Sequence, residues 1–290
     1  MMGSGIAGVF AAAGLPVTIF EPVAGVRETI RPRIVADLKL FRREAAPADS
    51  IVITDDLERA VAGADYVTEA VPERLELKQS IFAQLVQYAA PHAILASNTS
   101  VIPIHRITAG LSTAERIVGT HWWNPPGLIP LVEVVQSAQT SMATVAATLD
   151  LLTSVGKCPA HVTMDTPGFV ANRLQHALWR EAIAMVAEGI CDAATLDACV
   201  KNSFGLRLAV LGPLENADLV GLDLTLDIHR TIIPALDRHD KPHELLEQYV
   251  ATGHLGFKTG KGFRGWTAAE MATLRQRLSH HLLEARKDLS

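Results

Sequence analysis

Short apolar runs alternate with amphipathic ones through the first half of the chain. Val17–Phe20, Ile51–Thr54, Tyr66–Ala70, Ile94–Ala96, Ile117–Thr120 and Leu131–Val135 have the pattern of buried strands. Helical spacing lies between several of them; in Leu75–Tyr88 the residues Leu77, Ile81, Phe82 and Leu85 share one face. Strands alternating with helices predict parallel pairing through crossovers, hence an α/β doubly wound sheet. After about Val162 the texture changes. Asp165-Thr166-Pro167-Gly168 reads as a breaker and helix start, with Asp165 or Thr166 as the N-cap. Helical patterns follow over Phe169–Glu188, Ala193–Ser203 and Pro213 to about Leu236, while Gly253–Gly265 is glycine-rich loop. Two domains are expected: a sheet domain over residues 1–163 and an all-α domain over residues 164–290. The apolar faces of the later helices are too long for one layer over a sheet, which predicts a homodimer.

Composition narrows the class. At 290 residues, 49% hydrophobic and 20% charged, the chain can bury two cores and is not disordered. A net charge of -5 with no basic stripe argues against nucleic acid as a partner. No apolar run approaches the roughly 18 residues of a membrane span, so a water-soluble, cytoplasmic protein is expected. Cys158, Cys191 and Cys199 are odd in number and lack metal spacing, so neither a disulfide framework nor a metal is expected.

The chain opens MMGSGIAGVFAAAGLPVTIFEP. Read literally, Gly3, Gly5 and Gly8 spell a dinucleotide-binding G-x-G-x-x-G, but that motif needs a strand before it, and only Met1 and Met2 stand there. Further motifs follow in order: Ser97-Asn98-Thr99-Ser100 at the end of a strand; His121-Trp122-Trp123-Asn124-Pro125 after another; Glu133 in LVEVV; Asp165-Thr166-Pro167-Gly168-Phe169 through Asn172-Arg173; Gly212-Pro213; and Lys258-Thr259-Gly260-Lys261-Gly262-Phe263.

This ordered set resembles the 3-hydroxyacyl-CoA dehydrogenase family over nearly the whole chain. The resemblance implies a Rossmann-like domain binding NAD, a helical second domain, and oxidation of a 3-hydroxyl on a small-molecule substrate. It makes Met2-Gly3 the continuation of a glycine turn, with Gly3 the third glycine, which packs the helix on the sheet. The first strand and the first two glycines are then missing, and the sequence predicts a coding region that starts upstream of Met1 and a sheet lacking one central strand. Glu21, at the end of the second strand, is expected to hold the ribose hydroxyls and to favour NAD over NADP. The resemblance adds Glu73, Lys78, Asn98, Asn124 and Lys258 as cofactor-binding residues.

The chemistry asks for several of these residues independently. Removing a hydroxyl proton suits histidine, whose ordinary pKa lies near working pH. His121 is the candidate base, Glu133 its orienting carboxylate, and Ser100 and Asn172 the donors toward a developing oxyanion. Trp122 and Trp123 stand where the family usually has phenylalanines, filling core or narrowing the pocket. Other stretches, Val71–Leu85, Asn124–Glu133 and Gly205–Glu215, are similar to the lambda-crystallin and L-gulonate 3-dehydrogenase branch, which oxidises free acids. The helical stretch Arg27–Arg43 is shorter than the helical pair that helps hold CoA in the acyl-CoA enzymes, yet it keeps Arg27, Arg31, Arg33, Lys39, Arg42 and Arg43. These meet CoA phosphates or form a solvated face. The leading expectation is an NAD-dependent L-3-hydroxyacyl-CoA dehydrogenase; a dehydrogenase of a free 3-hydroxy acid and a non-catalytic crystallin-like relative are the alternatives.

Overall fold

The computed structural model describes residues 2–41 and 46–287. Met1, Arg42 and Arg43, named above, lie outside them. In chain order come α1 (Met2–Ala12), β1 (Thr18–Phe20), α2 (Ala24–Leu40), β2 (Val52–Thr54), α3 (Leu57–Val61), β3 (Tyr66–Glu69), α4 (Leu75–Tyr88), β4 (Ile94–Ser97) and α5 (Ile104–Ile107). Then follow β5 (Ile117–Trp122), β6 (Leu131–Val135), α6 (Met142–Ser154) and β7 (Cys158–Val162). The six expected strands form, and α4 has the bounds read from its periodicity, with Phe82 and Leu85 buried. The strand β7 was not expected. It carries Pro159 and His161 and lies at the sheet edge against β6, where a proline costs no ladder bond.

The strands fall into two sheets. One is the parallel pair β1-β2; the other has the order β3-β4-β5-β6-β7. In a doubly wound sheet the first strand lies between the second and the fourth. Here the corresponding strands, β1 and β3, are each paired on one side only, and no described strand joins them. Among the described residues, the position between β1 and β3 thus holds no strand. One expectation is corrected: the pairing is not parallel throughout, because β6 runs antiparallel to β5. The connection from Trp123 to Pro130 is too short for a crossover, so the chain turns straight back.

The helix α1 links the two sheets. Its Ile6 packs with Ala96, Val118 and Trp122 on the five-stranded sheet, whereas its Ala7 and Ala11 pack with Ile30, Ile34 and Leu38 of α2. Small residues permit that double contact. The residue under steric constraint is Gly5 rather than Gly3: a Cβ on Gly5 would lie 2.6 Å from the Pro126 ring, whereas one on Gly3 would meet the Ala70 methyl at an ordinary 3.5 Å.

By its contacts the chain divides into two compact units, Met1–Arg173 with Leu278–Ser290, and Leu174–Arg277. The division falls early in α7 (Ala171–Ala187), later than residue 163. The remaining helices are α8 (Ala193–Lys201), α9 (Pro213–Val220), α10 (Leu222–Ile232), α11 (Glu244–Ala251) and α12 (Ala268–Lys287). The single helix expected from Pro213 to about Leu236 is broken at Gly221, whose φ of 103° leaves the helical region. Asp165 does not cap its own helix. Its carboxylate accepts from the backbone of Ile104 and His105, at 2.8 and 2.7 Å, and so caps α5 from a distant part of the sequence.

The glycine contrast is testable. Gly5→Ala forces a methyl into a rigid proline ring and should destabilise by about 1–3 kcal/mol. Gly3→Ala meets nothing closer than an ordinary contact and should be neutral, or stabilising by up to about 1 kcal/mol from helix propensity. Urea unfolding of the two variants measures this; equal losses would contradict it.

Candidate active site

The antiparallel turn between β5 and β6 creates the site. It pairs His121 with Glu133 directly across the ladder. Directly opposed residues on such a pair share a face, which explains the spacing of the two residues in the sequence. The His121 Nδ1 lies 2.7 Å from the Glu133 Oε2. The side chains are 6% and 2% exposed, so water cannot replace either partner. A carboxylate opposite Nδ1 fixes the proton there and leaves Nε2 as the basic nitrogen. Nε2 has no hydrogen-bond partner among the described residues.

The other oxygen of Glu133 is also committed. It accepts from the backbone N–H groups of Val170 and Ala171, at 2.9 and 3.0 Å, where α7 begins. Burial alone would push this carboxyl up, but the His121 hydrogen bond, the Ala171 and Val170 amides and the His121 charge outweigh it and hold it below its ordinary value. Two left-handed residues bring those amides round: Gly168 at φ 74° and Phe169 at φ 51°. For phenylalanine that conformation costs roughly 1–2 kcal/mol. Burying the ring, 1% exposed, returns on the order of 1.5–3 kcal/mol. The ring lies 5.7 Å from the His121 ring, and Trp123 lies 5.3 Å from it.

A second set of residues meets at the ends of β3 and β4. Glu73 Oε1 accepts from Thr99 Oγ1 in a short contact and from the amides of Ser100, Val101 and Ile102 at 3.0, 3.2 and 3.4 Å. Burial would push the Glu73 carboxyl up, but Thr99, the Lys78 charge and the amides of Val101 and Ser100 hold it below its ordinary value. Asn98 Oδ1 accepts from the Trp122 amide at 3.0 Å, beside His121. Asn172 Nδ2 donates to the Ser100 carbonyl at 3.0 Å. The structure thus brings His121, Glu133, Ser100 and Asn172 into one bonded neighbourhood.

The other expected residues are placed as follows. Glu21 follows β1, with Oε1 accepting from Val23 N at 3.0 Å. Met2 and Gly3 open α1, and Asn124 is exposed beside the cis Asn124–Pro125 bond. Lys258 is exposed in the second unit. Lys78 departs from expectation: it is fully buried, and its ammonium meets Glu69 at 2.9 Å, Glu73 at 3.3 Å and the Val71 carbonyl at 3.4 Å. Those partners use its three N–H donors, so it is not offered to a bound molecule. Sequence reasoning missed Glu69 and Lys157. Lys157 donates to the Pro126 and Ile129 carbonyls and lies 5.1 Å over Trp122, bracing the loop between β5 and β6. A charged residue closing an apolar strand was the signal for Glu69.

Comparison with known proteins places this geometry. Residues 1–166 match the family description "3-hydroxyacyl-CoA dehydrogenase, NAD binding domain", and residues 168–266 match "3-hydroxyacyl-CoA dehydrogenase, C-terminal domain". The chain belongs to the 3-hydroxyacyl-CoA dehydrogenase family. Among its relatives is the 5-formyl-3-hydroxy-2-methylpyridine 4-carboxylate 5-dehydrogenase of Mesorhizobium japonicum, 34% identical over 99% of this chain and 95% of that one. A crystal structure of a dehydrogenase of that description, an NAD+ dependent dismutase, matches with a TM-score of 0.92 over the same shares. The L-carnitine dehydrogenase of Streptomyces coelicolor is 38% identical over 76% of this chain and 71% of its own length. The probable 3-hydroxybutyryl-CoA dehydrogenase of Bacillus subtilis is 36% identical over 90% and 93%.

Membership makes the chain an oxidoreductase whose first domain binds NAD. The residues present suit that cofactor. Glu21 commits only one carboxylate oxygen to the backbone, leaving the other for a ribose hydroxyl. Among the described residues no group is placed to hold a metal, and no helix is long and apolar enough to cross a membrane.

Glu133 gives a pH test. Its folded carboxyl ionises below the ordinary 4.5, so its stabilisation is complete above that pH and is lost as pH falls through the lowered value. Chemical unfolding of wild type and Glu133→Gln should differ fully at neutral pH, and the gap should close in acid. A gap that widens in acid would contradict this.

Proposed function

We propose that the chain is an NAD-dependent dehydrogenase of a small free hydroxy or aldehyde acid, with His121 as the proton-transferring residue. The hydrogen bond from His121 to Glu133 carries the chemical part of this reading. Glu133 holds the Nδ1 proton, so Nε2 takes the proton of the substrate hydroxyl, and the imidazolium that results is stabilised by the carboxylate behind it. Trp123 and Phe169 flank the ring and limit water. Ser100 Oγ has no partner among the described residues, and Asn172 keeps one amide N–H beyond its bond to Ser100. These two donors suit the developing oxyanion. NAD, when bound, supplies the hydride acceptor. Glu21 favours it over NADP by repelling a 2′-phosphate; Asn98 and Asn124 complete the proposed cofactor set of this unit, and Glu73 joins it through its exposed edge.

The substrate class is read from the basic residues of α2 together with the relatives. Arg27 donates to the Glu21 and Pro22 carbonyls, each at 2.9 Å, and pairs with Asp55 at 2.9 Å. Arg31 donates to the Ile51 carbonyl at 2.8 Å and to that of Ala48. Both are spent on the fold, whereas Arg33 and Lys39 of the same helix are exposed, so the preference for the free-acid alternative over the CoA thioester expected first rests on the relatives. Relatives acting on a pyridine carboxylate and on carnitine support the same choice.

The second unit leaves Val210, Leu214, Leu219 and Leu222 exposed at 82%, 80%, 70% and 64%. We assign that apolar surface to a homodimer, in a cytoplasmic protein whose three thiols stay free.

Turnover tests the reading. His121→Ala should lower kcat by about 10²–10⁴-fold with NAD affinity little changed, and Glu133→Gln should cost less, because the ring geometry survives. With wild type, free 3-hydroxy acids or a pyridine aldehyde carboxylate should give a higher kcat/KM than acetoacetyl-CoA. Faster reduction of acetoacetyl-CoA would return the chain to the acyl-CoA class, and undiminished kcat in His121→Ala would remove the base. Light scattering should give twice the chain mass; a monomer at micromolar concentration would overturn the dimer.

A further inference from the structure

Glu69 is the last residue of β3 and 1% exposed in its side chain. It uses every acceptor it has. Oε1 accepts from Lys78 Nζ at 2.9 Å and from Val71 N at 2.7 Å; Oε2 accepts from Lys78 at 3.1 Å and from Ser97 Oγ at 2.7 Å. Its backbone carbonyl accepts from Asn98 N at 2.8 Å. Lys78 reaches on to Glu73, which gathers Thr99 and the amides of Ser100, Val101 and Ile102. The bonds close a ring: Ser97 to Glu69, Glu69 to Lys78, Lys78 to Glu73, and Glu73 back to the segment that starts at Ser97. Inside that segment lie Asn98, which holds the Trp122 amide beside His121, and Ser100, which Asn172 holds.

A buried ion pair is weak evidence of stabilisation. Well-packed neutral residues of similar volume replace such pairs at little cost, while removing one partner strands the other charge. Stability alone therefore gives no reason for this pair. What a neutral replacement cannot reproduce is the reach of Lys78 to Glu73.

We propose that Glu69 is a positioning residue, which through Lys78 holds Glu73 in place and so fixes the Ser97–Ile102 arm against His121. The assignment rests on the dehydrogenase reading for its effect on turnover, but the clamp on the arm is a separate, observable property. Glu69 touches no reacting atom. Its loss changes how often the arm is in place and leaves the proton chemistry of His121 and Glu133 intact.

The test compares full-length wild type, Glu69→Gln and the double variant Glu69→Gln/Lys78→Met by thermal unfolding, amide hydrogen exchange and the pH dependence of kcat. In Glu69→Gln the ammonium loses its nearer, fully buried counter-charge and keeps only Glu73, which should lower Tm, and kcat should fall at least about tenfold. In the double variant Tm should return toward wild type. Its kcat should stay low with an unchanged pH profile, and the amides of Ser100, Val101 and Ile102 should exchange at least about tenfold faster than in wild type. If kcat and amide protection return together with Tm, the pair only neutralises itself and the proposal falls. It also falls if the double variant does not fold, because the pair is then a requirement of the fold. If wild type turns over none of the substrates while the amides respond as stated, the dehydrogenase reading fails and the clamp stands.

Discussion

The Glu133 carboxylate is the constraint around which the rest of the site is arranged. It stands in a strand otherwise made of leucine and valines, and an unpaired charge there would cost several kcal/mol or take up a proton. It stays ionised because one oxygen receives the His121 ring and the other receives the amides that open α7. One side chain therefore joins β5, β6 and the start of α7, and the residues it joins are those that carry the candidate chemistry. The strained turn at Gly168 and Phe169 follows from this. The chain must swing two amides onto a buried oxygen, and the phenylalanine that makes the swing packs on the histidine it helps to enclose.

The same principle recurs a short distance away. Glu69 closes β3 as Glu133 interrupts β6, and it too is buried with every oxygen engaged. The first carboxylate fixes a ring; the second, through Lys78 and Glu73, fixes a segment of backbone. Glu69 acts at the end of β3, and Glu133, from mid-strand, acts on His121 near the end of β5; strand ends are where α/β sheets place their ligands. The glycines of α1 serve a different need, letting one helix touch both sheets and the Pro126 ring at once.

Much of this was legible in the sequence, for identifiable reasons. Six strands and α4 followed from periodicity because burial of one face is written directly into residue order. His121, Glu133, Ser100 and Asn172 stand in motifs that resemble the family's and suit the chemistry of a hydroxyl oxidation, and the fold brings them near one another. The antiparallel return of β6, which puts His121 opposite Glu133, was not foreseen, since two apolar strands look alike whichever way they run. β7 escaped because an edge strand with a proline has no apolar run to read. Local capping rules offer Asp165 or Thr166 to the nearest helix, whereas Asp165 caps one far back in the sequence; such rules have no means of finding that partner. Lys78 is a cofactor contact by the family resemblance alone, and its burial against Glu69 cannot be read from the sequence because only the fold brings the two together. Gly5 and Gly3 could not be ranked without knowing that Pro126 sits over one of them.

The central claim is that His121, held by Glu133, carries the proton in a hydride-transfer reaction. The pH dependence of kcat/KM for alcohol oxidation tests it most directly. Wild type should lose activity in acid along a limb of unit slope, as a single base takes up a proton and can no longer accept the one from substrate. In His121→Ala that limb should vanish, leaving a low rate without it. A His121→Ala enzyme that keeps both the wild-type rate and the acid limb would contradict the account.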